Sequence, residues 1–147
     1  MPTGAPVEIA RFVDLSAATL YEILALRAEV FVVEQQCAYL DVDGRDTEPT
    51  TLHLFVQGDR GLRAYARVLS ESGGTRKIGR VVASPAARGT GVAADVVREA
   101  LCQCGDADVV LDAQAPLAGW YQQFGFAVAG EEFLEDGIPH LPMQRIR

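Results

Sequence analysis

The stretch from Lys77 to Cys104 joins a strand-like pattern of apolar residues to a helix-like one. Its first part, Ile78 to Ala83, is a mainly apolar run that is typical of a buried strand. Ser84-Pro85 ends this run, because proline has no N–H to give to a sheet ladder. Apolar residues then recur at three- and four-residue intervals, as on one face of an amphipathic helix: Val92, Ala93, Val96, Val97, Ala100, Leu101 and Cys104. The pattern predicts a strand, a glycine-bearing loop and a helix.

The loop between this strand and this helix is suited to binding an anion. Its backbone N–H groups and the positive end of the helix dipole converge at Gly89 to Ala94. These residues match the dinucleotide pattern G-x-G-x-x-A, and Asp112 follows about twenty residues later. That pattern needs its first glycine directly after the strand, whereas Ser84 to Arg88 intervene here, and too little chain follows for a doubly wound sheet. The loop therefore favours a phosphate ligand, but not a Rossmann-type nucleotide site.

The N-terminal part of the chain predicts a strand followed by a helix. Val7, Ile9 and Val13 alternate along a strand from Val7 to Val13. Asp14 and Ser16 are both good helix N-caps, and the residues from Thr19 to Glu22 fit a capping box. The helix that follows, of about four turns, has one mainly apolar face, made of Leu20, Ile23, Leu24, Arg27 and Phe31.

Arg27 is the one charged residue on this apolar face. Its stem can cover the core while the guanidinium reaches water. Alternatively, its charge stands at the edge of a substrate cleft. Composition favours the first interpretation, because arginine is rarely buried without a partner.

The segment from Phe31 to Pro49 lacks regular periodicity. Its acidic part, from Asp41 onward, resembles a calcium loop, but the glycine falls at the fourth position and Leu52 stands where the bidentate acid belongs. We therefore expect no metal site here. Such a segment is either a binding loop or an ordinary surface loop.

The remaining elements predict an α+β fold with one parallel crossover. Short glycine turns connect the strands before the central helix, which is typical of an antiparallel meander. The predicted elements are strands at Thr51 to Gln57 and Leu62 to Ser70, a strand at Asp108 to Asp112, a helical segment at Pro116 to Phe124, and strands at Phe126 to Phe133 and Ile138 to Ile146.

Composition narrows the class of protein. A chain of 147 residues is most simply one domain, residues 1–147. Its net charge of −7 argues against a nucleic-acid surface and suits a cationic partner. No basic leader with an apolar stretch begins the chain, and no apolar run approaches the roughly 20 residues that cross a bilayer. Three cysteines without framework spacing fit a reducing compartment. We predict a cytoplasmic protein that does not bind membranes.

The loop resembles the pyrophosphate loop of the GNAT superfamily of acetyl-CoA-dependent N-acetyltransferases. The shared pattern is R-x-x-G-x-A, Arg88 to Ala93, after a strand that ends in apolar-x-Pro. The resemblance implies a GNAT fold, a mixed and mostly antiparallel sheet flanked by helices. It implies that acetyl-CoA binds through two sets of backbone groups. Those for the pyrophosphate are at Arg88, Gly89, Thr90, Gly91, Val92, Ala93 and Ala94, and those for the pantetheine arm at Val81, Val82 and Ala83.

A second segment, Trp120 to Phe126, resembles the aromatic-Tyr-x-x-x-Gly-Phe segment of the same family. The resemblance implies that Tyr121 is the general acid that protonates the leaving thiolate. A core aromatic with a satisfied hydroxyl is the alternative. Gln114 and Leu117 depart from the family, which often has Asn and Ala there. Gln114 is still expected to contact the cofactor arm.

Further motifs resemble the ElaA-like branch of the family. They span residues 20 to 143, and are Leu26 to Gln35, Asp41 to Gly44, Ile78 to Val82 and Glu135 to His140. The resemblance places the acceptor between the first helix and the last hairpin, which makes Arg27, Phe31, Glu34 and His140 the candidate substrate-binding residues. The branch does not identify the acceptor, a small-molecule or peptidyl amine.

Acetyl transfer also needs a base for the amine, directly or through water. Glu34 and His140 are the candidates, and each is also a common structural residue. No cysteine stands beside a base or at a zinc spacing, so direct transfer without a metal is favoured over a covalent cysteine route. A non-catalytic acyl-CoA sensor of the same fold is the alternative function. The oligomeric state stays open, with a homodimer among the options.

Overall fold

The computed structural model describes residues 6–146, which form an eight-stranded sheet with helices on both faces. The helices are α1 (Ala17–Arg27), continued by a π-helix (Ala28–Glu34), α2 (Val92–Cys104) and α3 (Ala118–Gln122). The strands are β1 (Glu8–Ala10), β2 (Leu52–Gly58), β3 (Gly61–Ser70), β4 (Arg76–Ala83), β5 (Val109–Gln114), β6 (Ala127–Val128), β7 (Phe133–Glu135) and β8 (Ile138–Arg145).

The sheet opens into a cleft between β4 and β5. Its strand order is β1-β2-β3-β4-β5-β8-β6, with β7 also on β8. All pairs are antiparallel except β4 with β5. These two central strands pair only at Arg76 with Val109 and Lys77 with Val110, and beyond Lys77 they diverge. The predicted α+β fold with one parallel crossover is confirmed.

The first strand is shorter than predicted, and the first helix is longer. The strand ends at Ala10, and Val13 lies in a 3-10 turn with its side chain 84% exposed. Ser16 caps α1 by accepting the Thr19 N–H at 3.0 Å, so the predicted capping box starting at Thr19 lies inside the helix. The π-helix extends α1 to Glu34, which carries its last turn to the cleft.

The predicted strand from Phe126 to Phe133 is instead two short strands, β6 and β7. Both strands pair with β8, and Pro142 of β8 lies opposite the residues that connect β6 to β7. The Ala129 N–H donates to the Pro142 carbonyl at 2.8 Å. Because Pro142 has no N–H to return this bond, the ladder stops there.

Two apolar clusters hold the sheet between its helices. One packs α2 against β2 to β5 and includes Ile78, Val96 and Leu111. The other packs α1 against the opposite face and includes Ile23 and Val82. Within residues 6–146, no helix has the length and apolarity to cross a membrane.

Arg27 is fully buried, so both interpretations of this residue from sequence are wrong. Its Nε contacts Asp41 Oδ2 and its Nη1 contacts Asp46 Oδ1, each at 2.8 Å. The side chain is 0% exposed and does not line the cleft. Sequence patterning missed this because burial of a guanidinium depends on partners elsewhere in the chain.

Arg27 belongs to a larger set of paired charges that we call the arginine–aspartate network. Its members lie on α1, on the loop from residue 35 to residue 51, and on β3 and β4: Arg27, Arg67, Arg80, Asp41, Asp43 and Asp46. The carboxylates that resemble a calcium loop in sequence are therefore each paired with arginine. The network fixes the loop against the sheet beside the cleft.

Candidate active site

The cleft between β4 and β5 has a volume of about 450 Å³. It is lined on one side by the free edge of β4 and on the other by the end of β5 with α3 and the β7–β8 turn. Of the predicted site residues, it brings together those of the β4 edge with Phe31, Arg88, Gln114, Tyr121 and His140. Its lining residues do not include Arg27, Glu34 or the predicted loop residues from Gly89 to Ala94.

The edge of β4 presents backbone amides to the cleft. The Ser84 N–H donates to the Arg63 carbonyl of β3 at 2.9 Å, and Val82 lies opposite Tyr65. Successive residues of a strand direct their amides to opposite edges, so Ala83 turns its N–H toward the cleft while Val82 turns its N–H toward β3. We therefore retain Val81 and Ala83 as candidate donors and not the amide of Val82.

The loop before α2 has the backbone shape of an anion site. Gly89 and Gly91 have φ angles of 79° and 85°, which glycine adopts readily. The Asp95 N–H closes the first helical bond, on the Gly91 carbonyl, at 3.1 Å. The first three amides of the helix, at Val92, Ala93 and Ala94, thus have no partner within it.

Two of the predicted loop amides are used inside the loop. The Arg88 N–H donates to Pro85 and the Thr90 N–H to Ala87, over long distances of 3.5 and 3.4 Å. The Thr90 hydroxyl also donates to the Ala87 carbonyl, at 2.6 Å. The candidate cradle therefore consists of the two glycines and the first turn of α2.

Glu34 forms an ion pair with Arg88 at the mouth of the cleft. Arg88 Nη2 and Glu34 Oε1 are 2.7 Å apart, and both side chains are nearly half exposed. The hydrogen bond from Arg88 lowers the pKa of Glu34. A carboxylate with a lowered pKa is a weaker base, so this pairing disfavours Glu34 as the base.

Tyr121 stands in the wall of the cleft, held by aromatic neighbours. Its ring meets Trp120 edge-on at 4.9 Å between centroids and Phe126 at 6.2 Å. No group among residues 6–146 hydrogen-bonds to its hydroxyl. Burial raises the pKa of Tyr121, so the hydroxyl stays protonated at neutral pH. The alternative of a core tyrosine with a satisfied hydroxyl is therefore not what the structure shows.

His140 lies on β8 opposite Gln114 and is largely buried. Its Nδ1 is 2.7 Å from the Ile138 carbonyl, which can only accept a hydrogen bond. The neutral ring therefore carries its proton on Nδ1 and a lone pair on Nε2. Nε2 is 3.6 Å from Glu135 Oε2, and the ring stacks on Phe133. A lone pair beside a carboxylate is suited to accepting a proton.

The segment after the π-helix connects the walls of the cleft. Gln35 Oε1 accepts from Gln114 Nε2 at 3.2 Å, and Cys37 Sγ donates to the Asp136 carbonyl at 3.2 Å. No sequence pattern indicated that Cys37 lines the cleft. Arg80 also lines it and was missed, although it stands in the strand motif that predicted the site.

A GNAT family model matches most of the chain. The model, described as an acetyltransferase (GNAT) domain, aligns with residues 17–147. ElaA of Escherichia coli is 42% identical over 138 residues, which is 90% of each chain. The UPF0039 protein Rv2851c of Mycobacterium tuberculosis is 45% identical over 136 residues, which is 90% of this chain and 87% of the relative.

Solved structures share the fold closely. An acyl-CoA N-acyltransferase from Pseudomonas aeruginosa has a TM-score of 0.89 and 42% identity, covering 95% of this chain and 99% of its own. The crystal structure of E. coli ElaA also has a TM-score of 0.89, with 39% identity over 96% of this chain and 99% of its own. The chain belongs to the GNAT acyltransferase family, has its fold, and lies within the ElaA-like branch.

Proposed function

We propose that the protein transfers the acetyl group of acetyl-CoA to a primary amine, on a small molecule or a peptide. The observation that carries this proposal is the meeting of two features in one cleft, the open amide edge of β4 and the unbonded hydroxyl of Tyr121. Arg88 also lines this cleft and leads directly into the loop before α2, where the first amides of the helix have no partner within it. An acyl-CoA donor needs such features, because its pyrophosphate and its thioester carbonyl require hydrogen-bond donors and its leaving sulfur requires a proton. A structural relative at 42% identity is named an acyl-CoA N-acyltransferase, which supports the reaction class.

Each feature has a role in the proposed reaction. The loop at Gly89 and Gly91 holds the pyrophosphate, and the β4 edge holds the pantetheine arm. The amine nitrogen attacks the thioester carbon, forming the C–N bond, while amides such as that of Ala83 stabilise the developing oxyanion. As the C–S bond breaks, Tyr121 donates its proton to the leaving sulfur. The amine proton passes to His140 or to water.

The ligand carried by the purified protein tests the donor. After a mild purification, mass spectrometry of the released small molecules should find coenzyme A species. Finding NAD or ATP in their place would contradict the proposal.

A glutamate at Gly91 should abolish coenzyme A binding. Gly91 has a φ of 85° and no side chain, so its backbone can approach a phosphate closely, and a carboxylate there would oppose the pyrophosphate by bulk and charge. Isothermal calorimetry measures the affinity. Gly105→Glu is the matched control, since Gly105 also has a positive φ, of 59°, but lies at the far end of α2. Unchanged affinity in Gly91→Glu with the fold intact would remove the loop from the site.

Removal of all three cysteines should leave transfer largely intact. Cys37 lines the cleft, but its thiol donates to the Asp136 carbonyl, Cys102 is exposed, and burial raises the pKa of Cys104. None of these arrangements favours a thiolate nucleophile. The variant Cys37→Ser/Cys102→Ser/Cys104→Ala should keep most of the wild-type turnover. Detection of an acetylated cysteine during turnover would favour a covalent route.

Loss of His140 should impair the acceptor half of the reaction. His140→Ala should lower turnover or raise the acceptor KM while the affinity for coenzyme A holds, because the residue lines the cleft beside Glu135. Glu34→Gln should have a smaller effect, because Glu34 is not among the lining residues of the cleft and its carboxylate is paired with Arg88. Steady-state kinetics with an amine found in a panel measures both. The opposite ranking of the two variants would assign the base to Glu34.

A further inference from the structure

Strand β4 contains a bulge at Arg80. Tyr65 pairs with Val82 and Arg67 pairs with Gly79, so one residue of β3 lies opposite two residues of β4. Arg80 has a φ of 53°, in the left-handed region that residues other than glycine rarely adopt. Such a conformation persists only where the surroundings hold it.

The bulge determines which side chains at the end of β4 face α1 and which of its backbone amides face the cleft. Ile78 and Val82 are an even number of residues apart, so in a regular strand both would point to one face. Here Ile78 packs in the cluster under α2 and Val82 in the cluster under α1. The extra residue therefore also sets which amides after Arg80 turn toward the cleft.

The side chain of Arg80 is tied to the arginine–aspartate network. Its Nε lies 2.8 Å from Asp41 Oδ1, and its Nη2 donates to the Asp41 carbonyl at 3.1 Å. A further contact joins Nη2 to Asp43 Oδ2 at 3.4 Å. The guanidinium also lies over the ring of Tyr39, 5.6 Å from its centroid.

Asp41 is itself a fixed anchor. It is buried, and its Oδ2 and its carbonyl accept from the fully buried Arg27, each at 2.8 Å. The Tyr39 hydroxyl donates to Asp41 Oδ1 at 2.7 Å. The contact with Arg80 thus connects the buried Asp41, which Arg27 of α1 holds in place, to the one residue of the β4 bulge that has a left-handed backbone conformation.

We propose that Arg80 is a positioning residue whose pairing with Asp41 holds the β4 bulge, and so aims the amides after it at the thioester carbonyl. The inference rests on the proposed function, because the amides of β4 can polarise the thioester only if acetyl-CoA binds beside them. Arg80 acts through the backbone of β4 and needs no contact with the acceptor. Its effect is therefore measurable with the acyl donor alone.

The vibrational frequency of the bound thioester tests this role. Isotope-edited infrared difference spectra of [1-¹³C]acetyl-CoA report how strongly the carbonyl is polarised. The wild-type protein should shift the carbonyl band to lower frequency than in free acetyl-CoA. Arg80→Gly and Arg80→Asn both tolerate a positive φ but remove the ion pair, and both should lose this shift while still binding acetyl-CoA. Arg80→Lys, which keeps the cation, should retain part of it.

Arg76→Gly is the matched control, because Arg76 lies on the same strand before the bulge and outside the cleft lining. It should keep the full shift. A wild-type shift that persists in either folded Arg80 variant would overturn the positioning role alone. A wild-type protein that binds acetyl-CoA without any shift would overturn both this role and the amide edge as oxyanion site. Failure of the wild-type protein to bind acetyl-CoA would overturn the proposed function, and this inference with it.

Discussion

Replacement of Tyr121 by phenylalanine should lower the turnover of acetyl transfer by about 10²–10⁴-fold, the usual contribution of a general acid. The change removes one hydroxyl and keeps the ring that packs edge-on against Trp120 and Phe126. Since no residue between 6 and 146 binds that hydroxyl, its loss breaks no hydrogen bond within this range. We therefore expect the affinity for acetyl-CoA and the thermal stability to stay close to wild type.

Steady-state kinetics and calorimetry together separate catalysis from packing. Tyr21→Phe is the matched control, because Tyr21 is 78% exposed on α1 and should be silent in both measurements. An equal loss of binding and turnover in Tyr121→Phe would assign the residue a packing role. Wild-type turnover in the variant would remove it from the mechanism.

Replacement of Arg27 by methionine should destabilise the fold by about 3–5 kcal/mol, the usual cost of breaking a buried ion pair. The variant leaves the buried carboxylates of Asp41 and Asp46 without their shared partner. Urea unfolding measures the free energy. Arg98→Met is the matched control, because the Arg98 side chain is 45% exposed in its pair with Asp95 and should change stability by less than about 1 kcal/mol.

The destabilisation should also depend on pH. In the wild-type protein, burial by itself would raise the pKa of Asp46, but the hydrogen bond and charge of Arg27, with those of Arg67, lower it overall. A lowered pKa contributes stability that is present above the ordinary pKa and is lost as the pH falls. Without Arg27 this contribution shrinks, so the difference in unfolding free energy between wild type and variant should hold from pH 7 to about pH 4 and narrow as the pH falls below the ordinary pKa of aspartate. A difference below about 1 kcal/mol at pH 7 would show that the network is not a major source of stability.

The sequence predicted the elements whose pattern is local. Helix α2 follows from its apolar spacing, and β2 and β3 follow from the turn between them. The π-helix and the division between β6 and β7 were missed, because they depend on packing. Residues such as Pro142, which limits the β6 ladder, act from a distant strand.

The cleft residues of β4 and the segment around Tyr121 were predictable because each lies in one continuous motif. The loop around Gly91 is also one continuous motif, and its phosphate-binding role stays a prediction. The arginine–aspartate network was not predictable, because its partners come from separate elements. Arg27 and Asp41 are 14 positions apart, and Arg67 and Asp43 are 24 apart. The run of acidic residues from Asp41 onward was the one sequence feature that pointed to a charged cluster, and in sequence this run resembles a calcium loop.

Transfer of labelled acetyl groups tests the central claim most directly. The protein would be incubated with [1-¹³C]acetyl-CoA and either a panel of primary amines or the metabolite and protein fractions of a cell extract. Mass spectrometry would then follow the label. We predict catalytic appearance of an N-acetylated product with matching release of free coenzyme A, strongly reduced in Tyr121→Phe. The account would be contradicted if the wild-type protein bound acetyl-CoA but transferred no more label than Tyr121→Phe. That result would assign the protein to acyl-CoA sensing.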